Sequence, residues 1–209
     1  MGDYLSRLTF YDIVGYLLPG AVGLLALAVA CALVDPAWAL AEPTGAGAWT
    51  LAIVGTYFLG HAIQGIAFRI LSRGRMRDAV ARAASGAVDA VVVRALESNG
   101  STPGQSVVDR FAALDALKID FSDREVFTAR QGFYRGSSVA FGLLTLVLAV
   151  AAIWGRSVAV FGYGVPRAMA AVGALLGLGC CVIFVLRYRD FIRHEMEYAA
   201  ASGLKPKSA

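Results

Sequence analysis

Charge is scarce in this 209-residue chain: Asp, Glu, Lys and Arg make up 16% of it, where about 25% is usual in a soluble domain, and 58% is hydrophobic. That balance excludes an ordinary soluble fold. Cysteine is equally sparse. The chain's 3 cysteines form no CxxC and no Cys/His pair at metal-binding distance, so neither a disulfide framework nor a zinc site is expected. Cys31, Cys180 and Cys181 fall inside apolar stretches and read as small packing residues. Lipid attachment at Cys180 or Cys181 is the weaker reading, because both lie deep from the basic boundary at Arg187.

The motifs that announce common chemistries are missing too. There is no GxxxxGK[ST] to cradle a nucleotide triphosphate, no GxGxxG for a dinucleotide, no HExxH and no GxSxG. No apolar stretch holds the acidic pair that a carboxylate-driven proton or cation path would need. An enzyme is therefore not expected, nor is a cofactor or metal.

What the chain does have is length without charge. Asp, Glu, Lys and Arg are absent from Ile13 to Val34, Pro43 to Phe68, Gly136 to Gly155 and Ala168 to Leu186. A bilayer crossing takes about 20 apolar residues, so each stretch reads as a span. The spacing predicts an all-α integral membrane protein with four transmembrane helices over about residues 13–34, 49–68, 136–155 and 168–186. The second is placed from Trp49, an interface aromatic, because Pro43, Gly45 and Gly47 read as loop.

The positive charges are one-sided. Arg7, the basic residues from Arg69 to Arg135 and those from Arg187 onward would share one compartment, leaving only Arg156 and Arg167 opposite. The positive-inside rule then puts both termini and the central segment in the cytoplasm. A cleaved signal peptide ending at Ala39-Leu40-Ala41 is disfavoured, since the apolar run is too long and its leader carries Asp3 and Asp12 against Arg7.

Four segments follow from this: an amphipathic lead and first membrane hairpin (1–71), a helical cytoplasmic domain (72–135), a second hairpin (136–186) and a cytoplasmic C-terminal helix and tail (187–209). In the central segment Val80, Ala84, Val88, Val91 and Ala95 repeat as one helix face. Thr102-Pro103-Gly104-Gln105 caps a second helix to about Lys118. Ser122-Asp123-Arg124-Glu125 caps a third, expected to run unbroken into the third span. The apolar faces either close on one another or serve self-association or a soluble partner. The segment Arg156 to Arg167 reads as a Gly- and Pro-rich turn.

Candidate functional residues lie in and beside the spans. Tyr57, His61 and Gln64 recur at helical spacing as a polar stripe on an apolar helix, with His61 near mid-depth. They serve either as a water-accessible or pore-facing line or as interhelical hydrogen-bonding groups. Pro19 with Gly20 is a candidate hinge, and the carbonyl freed by Pro19 needs a partner from a neighbouring helix. Gly15 and Gly23, like the GxxxG pair Gly173 and Gly177, are expected at close helix contacts. Arg69, Arg73, Arg75 and Arg77 form a basic cluster for anionic lipid, with a nucleotide signal or nucleic acid as the sharper alternative.

Tyr11-Asp12-Ile13-Val14-Gly15-Tyr16-Leu17-Leu18-Pro19-Gly20, Tyr57-Phe58-Leu59-Gly60-His61-Ala62-Ile63-Gln64 and Phe133-Tyr134-Arg135 together resemble small four-span bacterial inner-membrane proteins associated with anti-phage defence operons. The resemblance covers about a quarter of the chain and supplies no catalytic residue. It implies an oligomer paired with a soluble cytoplasmic protein, acting as a sensor or membrane-disrupting effector. The function expected is a homo-oligomeric membrane subunit, in contact with lipid, that couples a cytoplasmic signal or partner to a change in permeability. The alternatives are a non-conducting anchor for a soluble partner and, third, a small transporter.

Overall fold

The computed structural model describes residues 10–39, 42–71, 82, 89–103, 109–110, 113, 124–155 and 157–203. Its helices are α1 (Phe10–Val34), α2 (Gly45–Leu71), α3 (Asp89–Ser98), α4 (Arg124–Trp154) and α5 (Arg167–Gly203), with a short antiparallel pair, β1 (Val158–Val160) and β2 (Tyr163–Val165), between α4 and α5. Among the described residues four helices are long and apolar enough to cross a membrane, over Gly15–Val34, Gly45–Leu71, Arg130–Trp154 and Arg167–Ala201. The described residues are nearly all helical, and these helices suggest a multi-pass membrane protein.

The ends of the apolar helices have local causes. After α1, Asp35 accepts from the Ala37 amide at 2.9 Å and caps the one-turn helix Pro36–Trp38, whose first position is the proline that needs no donor there. The second apolar helix begins at Gly45, earlier than the expected start near Trp49. Gly45 turns the chain at a φ of 81°, and Ala46 and Ala48, good helix formers, carry the helix past Gly47.

The segment expected as a plain turn holds the β1–β2 hairpin. Val158 pairs with Val165 and Val160 with Tyr163, leaving Phe161 and Gly162 as the two-residue loop. Both have positive φ, 51° and 81°, as a type I′ turn requires. The alternation that makes the strand was present in Val158-Ala159-Val160: the valines are buried and Ala159 is exposed.

The chain divides into two compact units, one of residues 1–68 and 132–185, the other of 69–131 and 186–209. The core of the first is aliphatic: Val22, Ala26, Val29 and Ala32 of α1 pack with Ala140, Leu144 and Leu148 of α4, and Val158 and Val160 of the hairpin join them. α1 is the most enclosed, with 50% of its apolar window buried, whereas α2 and α5 bury 17% each and present mostly apolar side chains outward. Outward Leu, Ile and Phe in such numbers suit hydrocarbon rather than water.

In the second unit, Val92, Ala95 and Leu96 of α3 pack against Met196, Ala199 and Ala200 of α5. Arg110 holds Asp89 with two parallel hydrogen bonds, at 2.9 and 2.8 Å. Gln131 donates to Glu195, and the Arg130 guanidinium lies 5.9 Å from the centre of the Phe191 ring. The apolar faces of α3 and the end of α5 thus close on one another. Of the helix expected from Val80, Arg82 and Asp89–Ser98 are seen as helical; of the one expected from Thr102, Asp109, Arg110 and Ala113 are. Thr102 and Pro103 are described and not helical, and the remainder of both helices lies outside the described residues.

Candidate functional site

All three residues of the polar stripe meet α1. The Gln64 carboxamide nitrogen donates to the Gly15 carbonyl at 2.7 Å. His61 stacks on Tyr16 with ring centroids 3.7 Å apart and planes 20° from parallel. Tyr57 lies edge-on to both, at 4.7 Å from His61 and 5.5 Å from Tyr16. The stripe is a seam between the first two apolar helices, and His61 remains exposed at its rim.

Glycine makes the seam possible. A Cβ on Gly20 would stand 1.9 Å from the Thr56 carbonyl oxygen, and one on Gly60 would stand 1.9 Å from that of Tyr16. The two backbones touch reciprocally, as small residues permit in membrane helices. Gly20, the hinge candidate beside Pro19, is also a contact glycine, and both residues are buried. Gly23 meets Ile63, and Gly15 lies beside Gln64 and Phe133.

α4 completes the site with two further glycines, Gly132 and Gly136. A Cβ on Gly132 would come within 3.0 Å of the Gln64 oxygen, and one on Gly136 within 2.9 Å of the Gln64 Cγ and 3.6 Å of the Pro19 Cγ. The small-xxx-small spacing of Gly132 and Gly136 was the available signal. Gly173 and Gly177 also face α4 in the same chain: a Cβ on Gly177 would lie 2.7 Å from the Thr145 hydroxyl, and one on Gly173 3.0 Å from Leu148.

The basic cluster is only partly visible. Arg69, in the last turn of α2, is exposed, while Arg73, Arg75 and Arg77 lie outside the described residues. The Arg135 guanidinium lies 4.9 Å from the centre of the Phe68 ring, a cation–π contact at the end of the second span. No group of three or more His, Cys, Asp or Glu side chains suited to a metal ion occurs among the described residues. Comparison with protein-family models, curated proteins and solved structures finds no match.

Proposed function

We propose that this chain is a non-enzymatic, homo-oligomeric subunit of the bacterial inner membrane that couples a cytoplasmic signal or protein partner to a change in membrane permeability, in the manner of a sensor or effector of anti-phage defence. The observation that carries this reading is helix continuity. α4 and α5 each run without interruption from an apolar stretch of the first unit into the second, so a displacement received by one unit has a stiff helix to travel along. The charge asymmetry favours a cytoplasmic second unit with both termini on the same side.

In this reading Tyr57, His61 and Gln64 line the responsive contact, Pro19 and Gly20 lie at its centre, and the Arg69 to Arg77 cluster meets anionic lipid or a phosphate-bearing signal. Among the described residues of the first unit the buried polar side chains are Ser137 and Ser138, and the rest of the core is apolar. A conducting path is therefore assigned to the boundary between copies, where the exposed His61 rim is available. The same aliphatic core favours a second reading, a non-conducting anchor that gathers a soluble protein at the membrane.

Inducing the full-length protein in a bacterial host while following membrane potential separates the two. The permeability reading expects a collapse that His61→Ala relieves at matched expression. Unchanged potential with both proteins, together with recovery of a soluble partner on the full-length chain, overturns it in favour of the anchor.

A further inference from the structure

Proline at position 19 has no amide hydrogen, so the Gly15 carbonyl four residues earlier loses its intrahelical partner. Gly15 is buried among its neighbours, so water does not make up that loss. The Gln64 carboxamide does, from α2, at 2.7 Å. Its position is tightly bounded on the α4 side, where even a methyl group at Gly132 or Gly136 would crowd its oxygen or its Cγ at 3.0 and 2.9 Å. One hydrogen bond on α1, the reach of one side chain from α2 and the bare backbone of α4 therefore meet at a single point.

We propose that Gln64 is a conditional latch. It replaces the peptide N–H that Pro19 lacks, and the position of α4 determines whether the latch holds. A shift of α4 toward α2 displaces the carboxamide, leaves the Gly15 carbonyl open and frees the start of α1 from α2. α4 is the actuator because Arg124–Trp154 is one helix whose first residues belong to the other unit. The latch stands on geometry alone; its use as a gate rests on the permeability reading above.

The test is a thermodynamic cycle on full-length protein in lipid bicelles, unfolded reversibly with dodecyl sulfate. In the wild-type background Gln64→Met, which keeps the side-chain volume and removes the donor, should raise the unfolding equilibrium constant about three- to twenty-fold. In a Pro19→Ala background it should change little, because the substituted alanine supplies the missing N–H to the Gly15 carbonyl. An equal penalty in both backgrounds overturns the latch. Gly136→Ala should destabilise the protein in the wild-type background and cost nothing more in a Gln64→Ala background, where the Cγ that it crowds is gone; additive losses overturn the role of α4.

Isotope-edited infrared of the Gly15 carbonyl gives a readout for variants that unfold poorly. The band should move to higher frequency in Gln64→Met and return in the double variant with Pro19→Ala, and a band indifferent to Gln64 overturns the proposal. Thermodynamic coupling without any effect of these variants on membrane potential would refute the permeability reading and leave the latch standing. Missing coupling refutes the latch whatever the potential does.

Discussion

The imidazole of His61 lies nearly flat on the phenol ring of Tyr16, with 3.7 Å between ring centres. This pairing joins α1 to α2 through ring faces, while the Tyr57 edge closes one side. Ring contacts of this kind contribute about 0.5–1.5 kcal/mol beyond the area they bury. His61→Phe keeps a ring in place and should leave the unfolding free energy within a few tenths of a kcal/mol, whereas His61→Ala should lower it by about 1 kcal/mol. Dodecyl sulfate titration in bicelles measures both. Because both variants lose the imidazole nitrogens, a membrane-potential effect common to them points to the imidazole's polarity, and one confined to His61→Ala points to packing.

The reciprocal backbone contact makes a second, sharper contrast. At Gly20 and Gly60 an added methyl group meets a main-chain carbonyl at 1.9 Å, and neither helix can yield without shifting as a whole. Gly20→Ala and Gly60→Ala should each destabilise the protein by about 1–3 kcal/mol, as overpacking does. Gly55 and Gly65, on the same helix as Gly60, have open space at the Cβ position. Alanine there should be neutral or stabilising by up to about 1 kcal/mol, the helix-propensity difference between the two residues. The same titration checks all four, and equal losses at all four positions would contradict the close crossing.

Tryptophan placement tests the membrane boundary. The chain's 3 tryptophans, Trp38, Trp49 and Trp154, are 59%, 51% and 63% exposed, and each lies near an end of an apolar helix next to a segment poor in charge. Indoles in such positions favour the headgroup level. Single-tryptophan variants in vesicles should be quenched most by lipids brominated near the headgroup and least by those brominated near the chain end. Quenching by aqueous iodide with no effect of brominated lipid would contradict these boundaries.

Much of the architecture was legible from the chain alone, because it follows from composition taken one segment at a time. A run without charge as long as Gly136 to Gly155 has few soluble uses, and an unbroken helix from Arg124 to Trp154 follows from a cap at one end and the absence of any proline on the way. The need for a partner at the Gly15 carbonyl was likewise a local consequence of Pro19. The β1–β2 hairpin was missed because its Gly-rich loop outweighed a strand signal of only three residues on each side, and its formation depends on the buried seat that the first unit's core gives Val158 and Val160.

Which residue answers Pro19 was a question for tertiary structure. Gln64 is 49 positions from the Gly15 carbonyl that it reaches, and periodicity along α2 places it on a face without saying which helix that face meets. The same holds for glycine. In sequence Gly20, Gly55, Gly60, Gly65, Gly132 and Gly136 are equivalent residues in apolar or amphipathic helices, yet four of them admit a neighbour and two face open space. Hydrophobic pattern determines that a helix crosses and roughly where it ends, since that depends on each segment's own transfer from water. Close packing determines which backbones touch, because it depends on the shapes of two or three helices at once.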